Sequence, residues 1–181
     1  MDRNLFIRYN RLAEIAQLKR GTRESMEWFA KRIRKDPPVA LDRVVNNFER
    51  TRIAPGKMFA YSYDPKLKDK LPYYDENPLV IILDVRPDGW YGANIHYLPP
   101  KLRVDLMEQV IVKKRSGLQI AKILESNRMT KVCLKRYLVK HLVTRPKEIP
   151  QNEWEICIQL PFESFMKATL RDVWSNSKKK I

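Results

Sequence analysis

The sequence predicts an α+β fold: a small antiparallel β-sheet or partly open barrel, with helices before, between and after the strands. Two observations predict it. Leu79-Val80-Ile81-Ile82-Leu83 is a short apolar run rich in β-branched residues, and Pro87-Asp88-Gly89 turns the chain into Trp90-Tyr91-Gly92-Ala93-Asn94-Ile95-His96-Tyr97, the pattern of an antiparallel hairpin. On both sides of this hairpin, apolar residues recur at i, i+3, i+4 and i+7, which is the helical period.

Taken in order, residues 10–52 read as helical. Met26, Phe29, Ala30 and Ile33 form one apolar stripe on a helix over 23–35, and basic residues crowd its end, where the macrodipole favours them. Asp36-Pro37-Pro38 breaks it, because a residue before proline is pushed out of the α region. A further helix starts at the prolines and carries Leu41, Val44, Val45 and Phe48. After the Pro55-Gly56 turn the period changes, and Met58–Tyr63 reads as a strand. Leu79–Val85 and Trp90–Tyr97 are the hairpin. Pro99-Pro100 opens a helix to Val112, and Ile120, Ile123 and Leu124 carry a short one. Thr130 then caps a helix whose apolar stripe is Leu134, Tyr137, Leu138 and His141. Residues 144–150 read as a loop. Trp154, Ile156, Ile158 and Leu160 alternate with Glu155 and Gln159, which predicts a half-buried strand joining the central sheet; Cys157 is the exception to the pattern. A last helix over 162–174 leads into a solvated tail, 175–181. These elements make a basic helical amino-terminal region, 1–54, and an α+β core, 55–181. The core holds a basic helical insert at 113–143 and a basic tail, and the whole is expected to close as one compact domain.

Charge says more about partners than about chemistry. The 181 residues carry 36 Lys and Arg against 21 Asp and Glu, a net charge of +15, and a polyanion is the expected partner, nucleic acid first. The excess is uneven. Lys and Arg number 13 against 7 acids over 1–54, 7 against 8 over 55–112, and 16 against 6 over 113–181. The candidate DNA-binding residues are therefore Lys113, Lys114 and Arg115 in the basic joint; Arg128, Lys131 and Lys135 along one flank of the 130–141 helix, with Arg136 and Lys140; and Lys178, Lys179 and Lys180 in the tail.

Against this, the signs of catalysis are few. No phosphate-binding glycine loop, no H-E-x-x-H and no G-x-S-x-G occurs, and the chain has five glycines. A metal-dependent nuclease would have to use Asp64 with Lys66, Asp75-Glu76 and Asp84, but the D-x-K sits in a turn and precedes the other acids. Two cysteines and two histidines, far apart, make neither a disulfide framework nor a zinc cluster, so no metal, no cofactor and a reducing compartment are expected. The start of the chain lacks the apolar run of a signal peptide, and no stretch approaches a membrane span. The aromatics of the central segment could stack bases on an exposed sheet face, but its neutral charge favours their filling a core instead.

The runs PGKMFAYSYDPKLKDKLPYYDENPLVIIL, GWYGANIHYLPPKLR, KRYLVKHLVTRPKEIPQNEWEICIQLPFESF and the terminal VWSNSKKKI resemble a family of T-even-like myophage proteins, the DNA end protectors and head-completion proteins. The resemblance covers residues 55–181, and its distinctive strings are LPYYD-x-x-PL and N-x-HYLPP-x-x-R. It implies a virion protein, made in the host cytoplasm, that binds the ends of packaged double-stranded DNA, shields them from exonuclease and completes the head for tail joining. It also implies a binding protein instead of an enzyme, with portal, neck or tail proteins as further partners, no membrane, and a homo-oligomer as one arrangement in the particle. Leu71, Pro72, Tyr73, Asp75, Pro78, Asn94, His96, Tyr97, Pro99, Pro100 and Arg103 carry the family signature, and their residue types read as architectural. The chain is shorter at its amino-terminal side than the family's better-known member, which keeps open a neck, tail or baseplate role in which the basic surface docks an acidic protein.

Overall fold

A computed structural model describes residues 5–111 and 115–181. The fold is α+β, and its sheet is open. Three helices come first: α1 (Leu5–Ile15), α2 (Arg23–Ile33) and the short α3 (Leu41–Val45). Thr22 caps α2, its hydroxyl accepting from the Ser25 amide while the Ser25 hydroxyl returns the contact. Leu5, Phe6, Tyr9, Met26, Phe29 and Ile33 bury one face of α1 and α2 in the main core.

The strands are β1 (Met58–Ala60), β2 (Tyr74–Asp75), β3 (Leu79–Arg86), β4 (Gly89–Asn94), β5 (Leu134–Leu138), β6 (Lys147–Ile149) and β7 (Phe165–Met166). Five of them form one antiparallel sheet in the order β5-β4-β3-β1-β6, and β2 pairs with β7 separately. The expected hairpin is β3 and β4, with Ile81 opposite Ala93 and Ile82 opposite Gly92; a bulge follows at Leu83. At its turn Gly89 faces Leu138 of β5, where a Cβ would collide with the Tyr137 carbonyl.

Because β3 lies at the centre, both faces of the sheet are covered. Met58, Ala60, Leu79, Ile81, Leu83 and Ala93 face the main core with the helices. On the opposite face Phe59, Tyr61, Tyr63, Val80, Ile82, Trp90 and Tyr137 form a second cluster. Its polar ends are satisfied within it: the Trp90 indole donates to the Tyr61 hydroxyl at 3.0 Å, and the Leu138 amide donates to the Tyr63 hydroxyl at 3.0 Å. These aromatics fill a core and leave no stacking platform on the sheet.

The remaining helices are α4 (Pro100–Ile111), α5 (Gly117–Ser126), α6 (Thr130–Cys133), α7 (Trp154–Cys157) and α8 (Leu170–Lys180). Several sequence expectations are corrected here. The helix expected from Pro37-Pro38 through Phe48 starts only at Leu41 and ends at Val45. The helix expected over 130–141 stops at Cys133, and the chain continues as strand β5 and a 3₁₀ turn, Val139–His141. Pairing with the otherwise open edge of β4 and burying Tyr137 among Tyr61, Tyr63 and Trp90 outweigh the local helical spacing. Conversely, the strand expected over Trp154–Leu160 is the short helix α7 and a following turn, and all seven residues are buried. Its Glu155 does not face water: the carboxylate accepts from the Gly21 amide at 2.8 Å, the Ser25 hydroxyl at 2.6 Å and Arg20. The sheet position expected for it belongs to β6, in the stretch read as a loop. The helix expected over 162–174 begins only at Leu170, after β7, under a Thr169–Asp172 capping box, and it runs through the expected tail to Lys180. Finally, the strand expected over Met58–Tyr63 ends at Ala60, with Tyr63 making a single bridge to Leu142, and the strand expected over Trp90–Tyr97 ends at Asn94, followed by a 3₁₀ turn, Ile95–Tyr97.

One buried cation ties these pieces together. Arg103 on α4 is fully buried, and its guanidinium donates to the carbonyls of Leu98 and Ile158, both at 2.7 Å, and to the His96 carbonyl at 3.3 Å. It also pairs with Glu163 at 3.3 Å, which Arg34 at the end of α2 contacts as well. The Trp174 ring of α8 lies beside both guanidiniums, 5.2 Å from Arg34 and 5.7 Å from Arg103, and its indole donates to the His96 carbonyl at 3.0 Å. Burial lowers the Arg103 pKa to about 10, so it stays charged at neutral pH. Burial alone would raise the Glu163 pKa, but the charges of Arg103, His96 and Arg34 hold it down to about 2.

Two outcomes follow from this hub. Arg103→Ala should cost about 3–5 kcal/mol of unfolding free energy in a denaturant titration, because the buried Leu98 and Ile158 carbonyls lose this donor and Glu163 keeps only one of its two cations. Glu163 has a folded pKa below its ordinary 4.5, so its contribution is present above that pH and lost as pH falls from 4.5 toward 2. Stability measured across that window should fall more steeply for the natural chain than for Glu163→Gln.

Candidate nucleic-acid interface

The turn after β4 is built by a second buried network. Asp75 on β2 accepts four hydrogen bonds: from the Asn77 amide at 3.0 Å and the Ser164 amide at 3.1 Å on one oxygen, and on the other from Asn94 at 3.1 Å with the His96 Nδ1 at 2.7 Å. Asn94 in turn accepts from the His96 amide at 3.1 Å, starting the 3₁₀ turn that carries Tyr97. Asp75, Asn94, His96 and Arg103 are all buried within these two networks. Their consequence is local: they fix Tyr97 against Phe165 and Tyr73, with ring centroids 5.1 and 6.0 Å away.

Beside Tyr97 lies a cavity of about 380 Å³. Its lining brings together Tyr73, Tyr74, Pro65 and Pro72, the cations Lys131, Lys135 and Arg136, and Ser177 and Lys180 of α8. Four of the candidate DNA-binding cations thus meet at one place, drawn from α6, β5 and the last turn of α8. They do not share a helix flank: Lys131 is on α6, Lys135 is on the strand, and Arg128 is exposed in the turn before α6. The other candidates lie elsewhere. Lys178 and Lys179 are exposed in the last turn of α8. Lys140 lines a separate cavity with Lys66, Asp88, Leu138 and Val139. Arg115 is half-buried just before α5, and Lys113 and Lys114 lie outside the described residues.

The cavity's cations differ in how they are balanced. Arg136 is neutralised, forking onto both oxygens of Asp88 at 2.7 and 2.8 Å and donating to the Tyr91 hydroxyl at 3.1 Å. Lys135 has no carboxylate partner among the described residues. Its ammonium sits 4.1 Å from the Tyr97 ring centroid and donates to the Val132 carbonyl at 3.0 Å. Burial lowers its pKa, and the neighbouring charge of Lys180 lowers it further. Lys131 and Lys180 are exposed and form no ion pair among the described residues. Among the described residues Asp75 is the one acid lining the cavity, and both its oxygens are committed.

The acids considered for a nuclease are dispersed in their commitments. Asp64 pairs with Lys68, Asp84 with Arg86, and Glu76 accepts from the Ser164 hydroxyl. Among the described residues no three His, Cys, Asp or Glu side chains gather to hold a metal ion, and no helix is long and apolar enough to cross a membrane.

Sequence reasoning missed that Tyr73, Tyr74 and Tyr97 belong to the same concavity as the cations. The adjacent tyrosines in LPYYD were the available signal, but nothing local connects them to β5 or α8. No curated protein and no solved structure matches the chain. A family model does, over residues 10–179: that of the phage T4 terminal DNA protecting protein. With nearly its whole length matched, the chain belongs to the phage T4 terminal DNA protecting protein family.

Proposed function

We propose that this protein protects the packaged phage genome by binding the end of its double-stranded DNA through the surface formed by α6, β5 and the end of α8. The observation that carries this reading is the convergence of unneutralised lysines from two distant parts of the chain on one concave surface. Phosphate contacts made there would fix the duplex without reading its sequence, since base edges need side chains placed in a groove. Arg128, Lys178 and Lys179, exposed in the turn before α6 and the last turn of α8, would extend the contact along the backbone. The protein acts as a binding protein of the virion, not as an enzyme.

A second surface supports a role in completing the head or neck. Strand β5 is an edge of the sheet, and Leu134, Val139 and Val143 are 45%, 52% and 66% exposed along and beyond it. An edge strand with exposed apolar side chains suits a protein partner, such as a portal, neck or tail protein or another copy of this chain.

Binding of the full chain to a blunt linear duplex and to a covalently closed circle, at two salt concentrations, tests the leading reading. The linear form should bind more tightly and resist exonuclease, and affinity should fall steeply with salt. Arg128→Ala and Lys178→Ala should each weaken binding to all sequences alike and reduce the slope of log affinity against log salt by about 1. Equal binding to both forms contradicts end recognition, and slopes unchanged in both variants contradict this surface.

A further inference from the structure

The cavity at the centre of this surface is more than a patch of positive charge. One of its lining residues is the half-buried Lys135, whose partners among the described residues are one backbone carbonyl and the face of Tyr97, which leaves donor capacity on its ammonium unused. Lys131 and Lys180 add two more positive charges at the walls, while Arg136 is balanced by Asp88 and Asp75 has no free oxygen. A phosphodiester between two nucleotides brings a single negative charge to such a place. A phosphate monoester brings about −1.5 to −2 at neutral pH and three acceptor oxygens, a closer match to three ammoniums. Monoesters of this kind occur on DNA only where a strand ends.

Size and shape agree with this. At about 380 Å³ the cavity falls within the roughly 300–1,000 Å³ span of small-ligand sites. Half-buried Tyr73 and Tyr74 line the same cavity with Pro72 and offer it an apolar surface suited to a nucleoside. We propose that this cavity receives the phosphorylated terminal nucleotide of a DNA strand, with its phosphate on Lys131, Lys135 and Lys180 and its nucleoside against Tyr73 and Tyr74. The assignment rests on the end-binding reading and adds to it the chemical group by which an end is told from the middle of a duplex.

The test uses the full chain and fluorescence anisotropy with four duplexes of one sequence: 5′-phosphorylated, 3′-phosphorylated, hydroxyl-ended, and a dumbbell closed by hairpin loops. One of the phosphorylated forms should bind about tenfold more tightly than the hydroxyl-ended form, the size expected of charge-assisted contacts to one group. Lys135→Met should bring that ratio close to one. The unaltered chain gives a second measurement that does not depend on a variant folding: pdTpdT or its 3′-phosphorylated counterpart should compete for the site, and dTpdT should not. If open duplexes bind no better than the dumbbell, end binding itself fails. If open duplexes win but phosphorylated and hydroxyl ends bind alike, or Lys135→Met keeps the ratio, end binding stands and this cavity is not its reader. Competition by free mononucleotide as strong as that by the duplex end would also overturn the assignment, since the site would then serve a soluble nucleotide.

Discussion

Much of this structure depends on the burial of one guanidinium. Arg103 is removed from water entirely and satisfied by three carbonyls and one carboxylate from three places in the chain. A buried charge is tolerated only when its partners are all present, so the turn at 96–98, the segment at Ile158 and the acid at Glu163 must arrive together. Trp174 joins the same group through the His96 carbonyl, and with it α8 is docked. Without that docking Lys180 has no reason to lie near β5. The position of a surface lysine is in this way set by an interior arginine.

The hairpin, the helix opened by Pro99-Pro100 and the aromatic core are legible in the sequence because their determinants are local: a β-branched run, a Pro-Asp-Gly turn, helical spacing after a proline pair. What the sequence does not show is the exchange of roles between residues 134–138 and 154–160. Leu134, Tyr137, Leu138 and His141 have helical spacing, yet the segment is a strand, because β4 offers an unpaired edge and the aromatic cluster offers a place for Tyr137. Trp154–Leu160 has strand spacing, yet begins as a helix, because Glu155 finds hydrogen-bond donors inside the protein instead of water. Cys157, an apolar residue on the supposed polar face, was the local sign that both faces are buried. Binary pattern reads a half-exposed element well and a fully buried one poorly.

The candidate site was legible in its chemistry and hidden in its geometry. The excess of Lys and Arg after residue 112 points to a polyanion, and Lys131, Lys135, Arg136 and Lys180 stand among the expected contacts. Their meeting depends on pairing β5 with β4 and on α8 extending through residues once read as a tail. Tyr73 and Tyr97 each belong both to the packed interior and to the lining of the cavity. Tyr97 packs on Phe165 with one part of its ring while Lys135 lies over it at the cavity, and Tyr73 links that packing to the cavity wall. The family to which the chain belongs is described by its protection of terminal DNA, and a cavity that joins the family's signature to the chain's cations offers that task a place.

The central claim is that the end of a DNA strand enters the cavity between β5 and α8. Photo-crosslinking addresses it directly: a duplex with a photoreactive base at its terminal nucleotide, compared with one carrying the same base in the interior, is irradiated with the full chain and the attached peptides are mapped. The account predicts that the terminal probe attaches to the Leu71–Asp75 stretch and the interior probe does not. Attachment of the terminal probe elsewhere, or of both probes to the same peptides in equal yield, would contradict it.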